Sequence, residues 1–345
     1  MNEPVSMDDS IPHLRYLVIG RLSRNFTILP DEQVIEDSPG GSALYAAAGS
    51  AVWETGIGMV ARVGSDYPVE WINKLDRYHI DYRGIRRMAD PVDMREFVAY
   101  PDLETRRADN PVGHFARLNL PFPKSLLGYT PVSASNDSRT RPTPLTIRSS
   151  DFPSDYLDAT AAHICPLDFL SHTLLPPTLR QGHINTITLD PGEGYMNPTY
   201  WDDLPVIMNG LTAFICNEEK LASMFQGKTY DAWEMAEELS SHGCEVIIIK
   251  RGQRGQLVYE RASRSRWIVP AYPAKVCCPI GAGDAFSGGF LAGFRSTYDP
   301  LQAALQGNIS ASLVIESIDP FYAFDSLPGL AQARLDSLRD MVRKA

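Results

Sequence analysis

Asp284 lies within Pro279-Ile280-Gly281-Ala282-Gly283-Asp284-Ala285-Phe286-Ser287-Gly288-Gly289-Phe290, which reads as a strand end, a glycine turn and a helix beginning near Asp284. Gly281 and Gly283 permit a backbone path that side chains would obstruct, so several N–H groups can face one spot. The positive end of the following helix adds to them, and the result is an anion site. A carboxylate beside an anion site is repelled by its ligand, an odd choice unless that carboxylate removes a proton. Phosphate, cation and base gathered at one turn point to phosphoryl transfer. The plainer reading is a common turn whose Asp caps a helix. Gly288, Gly289 and Gly293 weigh against it, since each costs roughly 1 kcal/mol in a helix interior relative to Ala. A chain carries that cost where its backbone must pack closely against something.

The elements that must position this turn alternate along the chain. Residues 14–20 form a short apolar run ending in Gly, a buried first strand. Gly40-Gly41 opens an Ala-rich helix over 43–53; the paired glycines either let a substrate lie against the backbone or serve only close packing. A second core strand follows over 57–64, then a helix over 67–78 with Val69, Ile72 and Leu75 on one face. Residues 119–150 mix five prolines with many Ser and Thr, the composition of a long loop or insertion. Regular alternation resumes with strands at 161–165, 186–189 and 213–216 and a helix from Asn217 to about 225. Asp190 ends its strand where ligands bind in open parallel sheets, though a turn Asp is the commoner identity. Residues 229–241 have the 3- and 4-residue apolar spacing of a helix, and 246–249 read as a buried parallel strand. Lys250-Arg251-Gly252-Gln253-Arg254-Gly255 then reads as a hairpin turn into 256–259, a reading compatible with a further role for the same residues. Helices over 300–317 and 330–342 complete the chain. Arg106, Arg107 and Arg117 read as a solvated face.

The run from Gly281 to Phe290 resembles the C-terminal signature of the ribokinase-like (PfkB) carbohydrate kinases. Gly40-Gly41-Ser42-Ala43-Leu44-Tyr45-Ala46-Ala47-Ala48-Gly49 resembles the other signature of that family, and the order is right. The resemblance implies an α/β fold: a doubly wound, mainly parallel sheet in one kinase domain spanning 1–345. It also implies a small β-sheet lid from approximately 22–38 and 92–118. Asp284 is then the base, with Gly281, Ala282 and Gly283 completing the anion hole. Asn217, Lys250, Gly252, Gly255 and Asn308 fall on the nucleotide side; Asn25, Gly40, Gly41, Ser42 and Tyr45 fall on the acceptor side. ATP is the implied donor, Mg²⁺ the implied bridge between its phosphates, and a small sugar, polyol or nucleoside the implied acceptor. The lid closes alone or pairs with a second copy in a homodimer.

Five positions depart from the family pattern. Asn25 stands where a lid Asp binds a substrate hydroxyl, and Tyr45 where sugar kinases carry Asn. Lys220 replaces the Glu of an Asn-x-x-Glu motif that organises magnesium-bound phosphates; either Lys220 meets phosphate directly or Glu219 substitutes. Cys278 and Pro279 replace residues that help hold a monovalent cation, which argues against potassium activation; no residue is singled out as a metal ligand. A kinase-fold protein that binds nucleotide without turnover is the alternative. A nicotinamide dehydrogenase is a weaker one, since no Gly-x-Gly-x-x-Gly follows the first strand.

Composition narrows the field further. The chain has 345 residues, 44% of them hydrophobic and 21% charged, the balance of a soluble globular protein. Against 42 acidic residues stand 32 basic ones, a net charge of −10 that disfavours nucleic-acid and anionic-membrane partners. No apolar run reaches the roughly 18 residues a membrane helix needs, residues 1–10 lack a signal-peptide core, and five cysteines without metal-ligand spacing read as reduced thiols. A cytoplasmic location is the resulting expectation.

Overall fold

The structure is a computed structural model that describes residues 14–130 and 137–345. In chain order its strands are β1 (Tyr16–Ile19), β2 (Ser23–Ile28), β3 (Val34–Gly40), β4 (Ile57–Val63), β5 (Asp81–Arg87), β6 (Arg95–Ala99), β7 (Ala161–Ile164), β8 (Thr186–Leu189), β9 (Ala213–Asn217), β10 (Val246–Lys250), β11 (Gln256–Glu260), β12 (Ser265–Val269) and β13 (Arg343–Lys344). The helices are α1 (Ser42–Ala51), α2 (Val69–Asn73), α3 (Pro111–Arg117), α4 (Phe169–Arg180), α5 (Leu204–Met208), α6 (Glu218–Met224), α7 (Ala232–Ser241), α8 (Ala282–Thr297), α9 (Pro300–Val314) and α10 (Leu330–Arg339).

Ten strands form one sheet in the order β13-β12-β11-β10-β9-β8-β7-β1-β4-β5, and β3-β2-β6 form a second, small one. From β10 to β5 every pairing is parallel. The far edge, β10 through β13, is antiparallel. Parallel strands need crossover helices, which cover both faces and make the strands apolar on both sides. In β10, Ile247 and Ile249 join the core beneath α4 to α7, while Val246 and Ile248 join the one beneath α8, α9 and α10. The sequence expectation of a mainly parallel, doubly wound sheet with a small accessory sheet therefore describes the molecule.

The glycines of α8 mark where three helices meet. A Cβ on Gly288 would lie 1.9 Å from the Ala46 carbonyl oxygen of α1, and one on Gly289 would lie 2.2 Å from the Ser310 hydroxyl of α9. A Cβ on Gly293 would lie 2.9 Å from the Ala303 Cα of α9. Small residues let the backbones approach to contact, and Ser50 reinforces this by donating to the Gly288 carbonyl at 2.9 Å. The cost of glycine inside α8 is thus offset by packing that a larger residue would prevent.

Two sequence expectations shift in detail. The helix expected over 67–78 is a short α2 followed by a 3₁₀ turn, Lys74–Tyr78, and of its apolar stripe only Leu75 is buried. The left-handed backbone at His79 ends the 3₁₀ turn, so the register cannot continue. Within 119–150 the described parts are anchored at both ends. Leu126 joins the core of the small sheet, and Arg95 donates to the carbonyls of Ser125 and Leu127. Asp137 accepts from the Phe169 amide at 2.8 Å, and its own amide donates to Gly194. Among the described residues, no helix is long and apolar enough to cross a membrane.

Candidate active site

Helix α8 begins at Ala282, two residues earlier than its sequence alone indicates, because Gly281 adopts a left-handed conformation (φ 78°) and acts as its N-cap. No side chain caps this end, and the first bond back to Gly281 comes from the amide of Ala285. The amides of Ala282, Gly283 and Asp284 therefore lie in the first turn of a sixteen-residue helix, without intrahelical partners and on the positive end of its dipole. Only glycine suits position 281 on two counts. Its φ is positive, and a Cβ would sit 2.2 Å from the Tyr45 ring.

The Asp284 carboxyl belongs to that turn, at partial exposure, and among the described residues no hydrogen bond or ion pair engages it. Loss of water around it pushes its pKa up to about 6, against the pull of the nearby Lys250 ammonium. A carboxyl that ionises close to neutrality, with no protein partner, is suited to take a proton from a ligand.

Beside it lies a cluster that brings together the ends of three adjacent parallel strands. Asp190 follows β8, Lys220 sits in the first turn of α6 after β9, and Lys250 ends β10. Lys220 Nζ donates to Asp190 Oδ1 at 3.1 Å and to the Pro191 carbonyl at 2.7 Å. Lys250 Nζ donates to Asp190 Oδ2 at 2.5 Å and to the Gly283 carbonyl at 3.1 Å. The last bond ties the cluster directly to the α8 turn. Asp190 is 2% exposed, and the side chains of Lys220 and Lys250 are 12% and 13% exposed. Burial alone would raise the Asp190 pKa, but the two ammoniums outweigh it and hold the carboxyl below its usual range. Burial likewise pulls Lys220 down, and Asp190 more than restores it. Asp190 is thus no ordinary turn residue, and Lys220 is drawn to it across 30 positions of sequence.

The acceptor-side residues gather around the start of α1, and among them Tyr45 meets the α8 turn. Gly40 ends β3 and Gly41, at φ 102°, is the N-cap of α1, so the small sheet runs straight into that helix. Ser42 Oγ accepts from the Arg21 amide at 3.2 Å, joining the end of β1 to α1. Asn25 is buried, accepts a hydrogen bond from Ser23 at 2.6 Å, and lies against Gly40 with no space for a Cβ there. Tyr45 is buried with its ring over Gly281, and burial, reinforced by Cys278 and Asp284, raises its hydroxyl pKa well above the ordinary value.

On the nucleotide side the expected residues divide. Asn217 caps α6, accepting from the Lys220 amide at 2.9 Å. Gly252 and Gly255 flank the turn between β10 and β11, where Arg251 and Gly255 exchange a backbone hydrogen bond at 2.9 Å, and Gly255 presses on the backbone of 269–271. Asn308 has both side-chain donors engaged, to Gln256 at 2.9 Å and to the Pro270 carbonyl at 2.7 Å, while its oxygen accepts from Tyr272. Its observed task is to hold residues 270–272 against α9. Arg106 and Arg107 are exposed, with Glu193 4.0 Å from Arg106. All five cysteines are free thiols, and Cys278 is buried.

Residues 193–322 match the model of the pfkB family carbohydrate kinases. That span is similar to the pfkB carbohydrate kinases. The matched span includes Lys220, Lys250 and the entire α8 turn. Among similar proteins, a cytidine kinase of Thermococcus kodakarensis is 27% identical over 288 residues, 81% of this chain and 88% of that one. Solved structures share the pfkB fold along nearly the whole chain. An Escherichia coli protein described as Ribokinase II, in complex with ATP and Mg²⁺, superposes with a TM-score of 0.65 at 18% identity, covering 94% of this chain and 99% of that one. A Burkholderia thailandensis nucleoside kinase in complex with ADP-inosine does so with a TM-score of 0.66 at 16% identity, covering 96% and 98%.

The Mg²⁺ implied by the pfkB resemblance finds no carboxylate set here. Among the described residues, no group of three or more His, Cys, Asp or Glu side chains could hold a metal ion. Both oxygens of Asp190 are taken by lysines, and Lys220 occupies the position expected to carry the acid.

Proposed function

We propose that this protein transfers the γ-phosphoryl group of ATP to a hydroxyl of a small sugar, polyol or nucleoside, with a nucleoside favoured. The observation that carries the reading is Asp284: a carboxyl with a raised pKa and, among the described residues, no protein partner, in the uncapped first turn of α8. The acceptor oxygen attacks the γ-phosphorus, the bond between that phosphorus and the ADP oxygen breaks, and the hydroxyl proton passes to Asp284. The amides of Ala282, Gly283 and Asp284 would bear on the charge of the group in transit, where one preorganised donor is typically worth about 3 kcal/mol of barrier. Lys250, bonded to the carbonyl of Gly283, would add a fixed positive charge at the same place. The likeness to a cytidine kinase over most of both chains supports a nucleoside acceptor. Asn25 and Tyr45 stand where the resemblance to sugar kinases implies an acid and an amide, so ribose or fructose is not the assumed acceptor.

Incubating the protein with Mg-ATP and a panel of nucleosides, pentoses, hexoses and polyols tests this. Phosphorylation of a nucleoside is expected, ahead of any sugar. Nucleotide binding without turnover of any acceptor would instead establish the non-catalytic alternative.

A further inference from the structure

Lys220 and Lys250 share a single carboxylate. Asp190 gives one oxygen to each, so the cluster carries two positive charges against one negative. An ammonium has three N–H donors. The structure accounts for two on Lys220, at Asp190 and Pro191, and two on Lys250, at Asp190 and Gly283. Among the described residues each lysine thus retains one unused donor, in surroundings that shield it from most of the solvent, where an opposite charge is attracted far more strongly than in water. Lys220 is also fixed from behind: Asn217 caps its backbone amide, and Asp190 and Pro191 hold its head. An ammonium anchored in this way would meet an anion with little further loss of side-chain freedom. The anion-binding amides of α8 adjoin the cluster through the bond between Lys250 and Gly283.

The geometry points to Lys220 as a residue that binds the donor polyphosphate directly, supplying with a fixed ammonium part of the charge that a protein-held divalent ion would otherwise supply, so that ATP binding here depends only weakly on Mg²⁺. This rests on the reading of the α8 turn as a nucleotide phosphate site. A glutamate at position 220 would not restore an ordinary arrangement, because it would face Asp190 with only Lys250 between two carboxylates.

Calorimetric titration of ATP into wild type, Lys220→Met and Lys220→Arg, each with Mg²⁺ and with excess EDTA, provides the test. Wild type is expected to bind ATP in EDTA within about tenfold of its affinity with Mg²⁺, and Lys220→Met to lose about ten- to a hundredfold in EDTA, the range of a hydrogen bond to a charged group. Lys220→Arg should retain most of the metal-free affinity. Equal metal-free affinity of wild type and Lys220→Met would overturn the assignment. So would a wild type that binds Mg-ATP tightly and metal-free ATP not at all, a result that decides the matter even if Lys220→Met fails to fold. Absence of ATP binding under both conditions would instead remove the phosphate-site reading on which the assignment depends.

Discussion

At the scale of single residues, the turn at the start of α8 turns on one titration. If Asp284 is the base, Asp284→Asn lowers turnover by about two to four orders of magnitude, the usual contribution of a positioned base, while ATP affinity stays near wild type. Steady-state rates combined with nucleotide titration measure both. Because the base must be ionised, kcat/KM should rise with pH through a limb near 6 and level off above it. The same shift acts on stability with a definite sign. Below about pH 4 folded and unfolded chains both hold the Asp284 proton; between that point and about 6 the folded chain keeps it while the unfolded chain releases it. Stability therefore falls as pH rises through this window and stays lower above it, on the order of 2–3 kcal/mol. Asp284→Asn should consequently unfold at higher denaturant than wild type at pH 7.5, and at the same denaturant near pH 3.5. A lower midpoint for the variant at pH 7.5 would mean that the carboxylate is stabilised by a partner.

At the scale of elements, contact between helices sets where the turn lies. Alanine normally stabilises a helix interior relative to glycine by about 1 kcal/mol. At Gly288 the order should reverse, because the added Cβ would press on the Ala46 carbonyl of α1, and overpacking of this kind typically costs about 1–3 kcal/mol. Chemical denaturation of Gly288→Ala measures the change, and a stabilised variant would contradict the observed helix approach. That α8 is a helix whose glycines serve close packing was readable from its sequence. Which of its glycines faced α1 and which faced α9 was not, since helical periodicity defines a face without naming its neighbour.

At the scale of the whole molecule, the buried ion cluster joins β8, α6 and β10, whose charged residues stand at positions 190, 220 and 250. Asp190→Asn would leave two buried ammoniums without a counter-charge. Breaking a buried pair from one side typically costs about 3–5 kcal/mol, so this variant should lose most of its stability in thermal denaturation. Asp190→Asn paired with Lys220→Met should recover part of the loss. The segment after 137 is secured more locally. Removing the Asp137 carboxylate that accepts from Phe169, as in Asp137→Ala, should speed proteolytic cleavage within 137–148 and leave the parallel sheet protected. Cleavage no faster than in wild type would show that the remaining contacts suffice.

What the sequence determined by itself was local or periodic. Short apolar runs specified the buried strands, glycine at the start of α8 specified an open helix end, and Asn217 specified the cap of α6, because each depends on neighbours within a few positions of chain. Tertiary structure alone decided the charge arrangement. Asp190 looked like a turn residue and Lys220 like a defect in a motif, and both readings changed once strand order placed β8, β9 and β10 side by side with their charged ends together. A usable signal was present, in that three successive strands each ended near a charged residue. Pairing them required knowing which strands are adjacent, and adjacency in a sheet follows from packing across the whole chain rather than from any window of it.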